Sequence, residues 1–70
     1  MESNGEFINP GCGRCVVLTK YKAHCLIRIM REHYPYCVCS ELGADGNWHW
    51  GDYYQDLFDA VDAYRGRCSL

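Results

Sequence analysis

Seventy residues, 49% of them hydrophobic and 14% aromatic, make one small domain near the lower size limit for a single core. A formal charge of −2 excludes the strongly basic class of nucleic-acid-binding domain, and no apolar run approaches the length of a membrane span. The charge is uneven: residues 1–35 carry five Lys/Arg against three acids, and residues 36–70 carry two Arg against six acids.

Residues 1–13 are rich in Gly, Asn and Pro and lack the apolar stretch of a secretory leader. They read as a flexible N-terminal segment, with Phe7 and Ile8 able to tack it down, ahead of a single domain over residues 14–70. The chain is expected in the cytoplasm. Cys15 to Thr19 has strong β composition, and Lys20 to Ala23 interrupts it. From His24 to Arg31, Cys25, Ile27 and Ile29 alternate with Leu26, Arg28 and Met30. The β-branched pair and the nearby Pro35 favour a strand there over a helix. Tyr36 to Leu42 alternates again, with Tyr36, Val38, Ser40 and Leu42 on one face and Cys37, Cys39 and Glu41 on the other. Gly43 to Asn47 has the composition of a hairpin loop, and Trp48 to Trp50 returns as a short strand.

The remaining stretch has helical periodicity. At about 100° per residue, Tyr54, Leu57, Phe58, Val61 and Tyr64 share one side, and Asp52, Asp56, Asp59 and Asp62 lie roughly opposite. Asp52 is the expected N-cap, Arg65 and Arg67 suit the last turn, and Gly66 is a candidate stop signal. The fold expected from these elements is α+β, a three- or four-stranded antiparallel meander with one C-terminal amphipathic helix packed on one face.

Six cysteines in a cytosolic chain point to thiols or a metal before disulfides. Cys12-Gly13-Arg14-Cys15 has the C-x-x-C shape of a zinc knuckle, and Cys37 and Cys39 share a strand face. These four are the candidate ligands of a structural zinc, the one cofactor the sequence raises. A disulfide such as Cys12 with Cys15 is a further alternative, and the bland reading makes Cys25, Cys37 and Cys39 small buried hydrophobes and Cys68 an exposed thiol. The residues form no catalytic signature. Aspartates side by side on a solvated helix face would all be ionised, and no Gly-rich phosphate loop is present, so the chain is expected not to be an enzyme.

Arg14, Lys20, Lys22, Arg28 and Arg31 interleave with Tyr21, Tyr34 and Tyr36, a pattern able to stack bases. The acidic total disfavours direct nucleic-acid binding. Glu41 to Asp62 holds six acids and no Lys or Arg. Negative charges at helical spacing crudely imitate the phosphate rows of a duplex and are steered toward basic grooves. Glu41, Asp45, Asp52, Asp56, Asp59 and Asp62 therefore form the candidate charged surface, with Trp48 and Trp50 as candidate anchors.

Tyr36-x-Val38, a Gly/Asp hairpin, and then Trp50-Gly51-x-Tyr53-Tyr54-x-Asp56-Leu57-x-x-Ala60-Val61-x-x-Tyr64-x-x-Arg67 resemble small proteins of phages and mobile elements. Asp52 stands where those proteins usually carry histidine. The resemblance covers roughly residues 36–67 and implies a setting of phage–host conflict. In that setting, short acidic α+β proteins act as anti-CRISPR-like inhibitors that occupy the basic channels of nucleic-acid-handling complexes. The function expected is thus a non-enzymatic inhibitor of a host defence complex. A small zinc-stabilised module, or a regulator that binds nucleic acid through the basic half, is the alternative.

Overall fold

The computed structural model describes residues 5–69. It contains five strands and one helix: β1 (Glu6–Asn9), β2 (Gly13–Tyr21), β3 (His24–Ile29), β4 (Tyr36–Ser40), β5 (Trp50–Tyr54) and α1 (Leu57–Cys68). The strands form one antiparallel sheet in the order β1-β2-β3-β4-β5, a simple meander, and α1 packs across β3, β4 and β5. The expected α+β meander with a C-terminal helix is present, with one strand more than expected.

That strand is β1, inside the segment expected to be loose; residues 1–4 of that segment lie outside the described residues. Asn9 makes the hairpin possible. Its side-chain oxygen accepts the backbone N–H groups of Gly11 and Cys12 at 2.9 and 2.8 Å, tying the turn that returns the chain into β2. Glu6 then pairs with Val16, and Phe7 with Cys15. β2 also runs through the polar stretch to Tyr21, because a bulge at Leu18 absorbs the break in alternation. Val17 faces the same side as Ile27; beyond the bulge, Thr19 faces the same side as Leu26.

The sheet buries both faces. On one, Cys15, Cys25, Ile27, Ile29, Cys37 and Cys39 are 0–1% exposed, although no helix covers them. The sheet itself curls over this thiol-lined face. In a flat sheet, strand spacings of ~4.8 Å would leave β1 roughly 19 Å from β5. Instead, the Phe7 ring meets the Trp48 ring edge-on with centroids 6.4 Å apart. The Asn9 amide donates to the Gly46 carbonyl at 2.7 Å, joining the first hairpin to the β4–β5 loop. Gly46 has φ +87°, and a Cβ there would collide with the Ile8 carbonyl oxygen, so only glycine closes this seam.

The other face holds Leu26 and Val38 against Ala60, Tyr64 and Cys68 of α1. The helix starts later than its periodicity implies. Trp50 to Tyr54 pairs residue by residue with β4, from Ser40↔Trp50 to Tyr36↔Tyr54, so Asp52 lies in a strand and Asp56 occupies the N-cap position. Aromatic residues half-covered on both sides suit a strand better than a helix's first turn. Gly66 sits within the last turn, and Ser69, with φ +60°, is the left-handed cap, donating to Arg65 and Gly66 carbonyls. The buried stripe is also rotated from the expected one. It runs through Ala60, Tyr64 and Cys68, leaving Leu57 at the margin and Phe58 outside. Ala60 and Cys68 are small, which lets the helix axis lie close to the sheet. Cys68 is buried, not exposed as its place beyond the expected helix end implied.

Candidate interaction surface

The six acids of the C-terminal half do not form one continuous face. Glu41 and Asp45 follow β4 at one end of the sheet. Asp56 lies past the far end of β5, roughly 13 Å away along that strand. Asp45 is turned inward on its own loop: its carboxylate accepts the backbone N–H and the side-chain amide of Asn47, both at 3.1 Å. Those bonds hold its pKa below the usual carboxylate range. Asp52 lies opposite Val38 on the helix-covered face, 3.7 Å from the Arg67 guanidinium, and so is partly neutralised. Asp56, Asp59 and Asp62 remain at the helix start and on its outer side, exposed and without ion pairs among the described residues.

Both tryptophans are occupied within the fold. Trp48 meets Phe7 edge-on and tilts over Tyr53, the latter pair with centroids 6.5 Å apart. It lies so close to β5 that a Cβ on Gly51 would be 2.8 Å from Trp48 Nε1 and 3.1 Å from Cys37 Sγ. The glycine of the Trp50-Gly51 pair is therefore a packing requirement. Trp50 is covered by Arg67, whose guanidinium carbon is 3.8 Å from the ring centroid.

The most exposed aromatic among the described residues is Phe58, 78% exposed in the first turn of α1. Its i+4 neighbour is Asp62 and its next residue Asp59, so an apolar ring stands among free carboxylates. Tyr34, 54% exposed, belongs to the same end of the molecule. Gln55 staples the β3–β4 loop to the β5–α1 connection, accepting from the Tyr34 N–H at 3.0 Å and donating to the Glu32 carbonyl at 2.9 Å. Periodicity alone placed Phe58 inside, because Leu57 and Phe58 compete for the same stripe. The small residues Ala60 and Cys68 were the available signal that the stripe lay elsewhere.

Four of the five cations of the basic half have partners within the fold. Arg28 donates to the Tyr36 hydroxyl at 3.0 Å and lies over that ring. Arg31 lies over Tyr53 and donates to the Tyr34 carbonyl, and Lys22 lies over Tyr21. Arg14 is 3.8 Å from Glu6 beside a small groove of about 210 Å3 between β1 and β2.

All six cysteines are free thiols. Cys15, Cys37 and Cys39 share the thiol-lined face with Cys25, and Cys12 packs against them, so the sheet does gather the four residues raised as zinc ligands. Among the described residues, however, no group of three or more His, Cys, Asp or Glu side chains is placed to hold a metal ion. Burial pushes the Cys15 and Cys25 thiols up, and the hydrogen bond with Cys37, followed by burial, pushes Cys39 up. His24 alternates onto the opposite face, where its buried Nδ1 has no hydrogen-bond partner among the described residues.

No helix among the described residues is long and apolar enough to cross a membrane. Comparison with known proteins yields no match for this chain among family models, curated proteins or solved structures.

Proposed function

We propose that this protein is a non-enzymatic binding protein that docks through the N-terminal end of α1, with Phe58 as anchor and Asp56, Asp59 and Asp62 as its charged rim. The observation that carries this reading is Phe58 itself: an aromatic ring 78% exposed beside carboxylates that form no ion pair among the described residues. Exposed aromatics concentrate binding energy, and a negative rim selects a positively charged partner and speeds encounter with it. The partner class is a host protein complex with a basic nucleic-acid groove, and the mode of action is competition for that groove. The phage-type, anti-CRISPR-like setting in the host cytoplasm rests on the resemblance of residues 36–67. Glu41 and Asp45 lie toward the other end of β5, outside this surface.

The test compares wild type with Phe58→Ala and with Asp59→Lys/Asp62→Lys for binding to such a complex at low and moderate salt. Phe58→Ala lowers affinity about tenfold or more. The charge reversal lowers it further at low salt and flattens its salt dependence. Unchanged affinity and an unchanged salt slope in both variants dismiss the reading.

A further inference from the structure

The six thiols differ in access. Cys15, Cys25, Cys37 and Cys39 are 0–1% exposed and Cys68 is 8% exposed; Cys12 alone is half-buried. Cys12 ends the β1–β2 turn that Asn9 fixes, and the next residue, Gly13, takes φ +87°. With the chain kinked there, Cys12 packs onto the thiol-lined cluster that contains Cys15. Arg31 brings its guanidinium to the same sulfur, with Nη1 3.9 Å from Cys12 Sγ. The Cys15 thiol donates to the Gly13 carbonyl at 3.4 Å. An accessible sulfur beside a fixed positive charge, backed by a shielded thiol three residues on, is the arrangement of an attacking and a resolving cysteine.

We propose that Cys12 is an oxidative-modification site for hydroperoxides and that Cys15 resolves it as a Cys12–Cys15 disulfide. The Cys12 sulfur attacks the terminal peroxide oxygen and the O–O bond breaks. Cys12 becomes a sulfenic acid, and the remaining oxygen leaves as water or an alcohol. The Cys15 sulfur then attacks the Cys12 sulfur. The S–S bond forms, the S–O bond breaks, and the departing hydroxide takes the Cys15 proton as water. The two thiols lose two electrons and two protons, and the peroxide gains them. The rival pair is Cys25 and Cys39, directly opposed in the register of β3 and β4 and within disulfide reach at a Cα separation of roughly 4.5–5.5 Å. Both are closed to solvent, so an oxidant meets Cys12 first.

Trypsin distinguishes the pairs, because Arg14 lies between Cys12 and Cys15. The folded protein is treated with hydrogen peroxide, its remaining thiols are blocked with N-ethylmaleimide, and it is digested without reductant. The expected first product joins residues 1–14 to residues 15–20. Cys12→Ser abolishes that product, and Arg31→Gln slows N-ethylmaleimide labelling of Cys12 roughly threefold or more. Three outcomes overturn the proposal: a first product joining residues 23–28 to residues 32–65, a sulfinic Cys12 with no link, or a protein that stays reduced at peroxide levels that oxidise glutathione.

Discussion

The two faces of the sheet bury their side chains by different means. The thiol-lined face has no helix over it, yet its six central residues are 0–1% exposed, because the curl of the sheet and the Phe7, Leu42 and Trp48 side chains close it. The opposite face has a helix, but only Leu26 and Val38 of the sheet are buried beneath it. Its margins are finished by cations laid on rings, Arg28 on Tyr36 and Arg67 on Trp50. A dense apolar interior on one side and a looser, partly polar seam on the other divide the labour. The first face holds the fold together; the second carries a helix whose outer side is free for a partner.

The sharpest way to break this comparison is to remove volume from the dense face. Ile27 is 0% exposed and pairs with Val17 and Cys37 across both neighbouring strands. Ile27→Ala should cost about 3–4 kcal/mol, read from urea midpoints at unchanged slope. In a chain this short, that is a large part of the total stability. A cost below about 1 kcal/mol would mean the face collapses freely and is not the dense interior described.

Alkaline titration addresses the same face. Cys15, Cys25 and Cys39 have thiols pushed above their ordinary range, Cys15 and Cys25 chiefly by burial and Cys39 chiefly by its hydrogen bond with Cys37. A raised folded-state pKa means the unfolded chain releases these protons first. The stabilisation is complete below the unfolded thiol value of roughly 8.5 and is lost as pH rises toward the folded values. The melting temperature should therefore fall progressively above about pH 8.5. Cys25→Ala should make that fall shallower, and a fall of the same steepness would place the titration in other groups.

The strand pattern was legible because alternation survives in β3 and β4, where Cys25, Ile27 and Ile29 and then Cys37 and Cys39 point one way. β1 was not legible, since a four-residue strand has too few alternations to stand out. What fixes it is a side-chain turn at Asn9 and a contact with Gly46, 37 residues away. The helix start misled because Tyr53 and Tyr54 satisfy strand and helix patterns equally, and pairing with β4 decided between them. The candidate surface was half legible. Asp59 and Asp62 lie exposed on α1, as their spacing implies, whereas Asp56 precedes the helix as its N-cap instead of lying in its first turns. Asp52 and both tryptophans have internal partners that no spacing rule reveals, and the exposed Phe58 followed only from where the helix rests.

Gly51 offers a smaller and more local test. A methyl group there must displace the Trp48 indole or the Cys37 sulfur, at 2.8 and 3.1 Å. Gly51→Ala should cost about 1–3 kcal/mol and move the indole, visible as a shift in tryptophan emission. Loss of stability with unchanged emission would put the strain in the backbone instead of beneath Trp48.

On the looser face, the expected cost falls again. Arg67 stacks on Trp50 and reaches Asp52, with both ion-pair partners about half exposed, at 49% and 51%. Arg67→Ala should cost about 0.5–1.5 kcal/mol, most of it from the lost stacking, because a half-exposed ion pair is screened by solvent. Asp52→Asn should cost less than Arg67→Ala; the reverse order would show that the ion pair, and not the stacked ring, holds the end of the helix.

The smallest effect on stability belongs to the residue on which the proposed function rests. Phe58 fills no interior space, and its 78% exposure leaves little apolar area for folding to bury. Phe58→Ala should change stability by no more than about 0.5 kcal/mol, and the better helix propensity of alanine offsets part of any lost contact. A ring so exposed is a standing cost in solubility, and a structural role would repay that cost in stability. If thermal unfolding of Phe58→Ala matches wild type while partner binding drops, the side chain acts outside the fold. If the melting temperature drops by several degrees instead, Phe58 is packed in solution, the dense and loose faces are less different than they look, and the helix has no free anchor to offer.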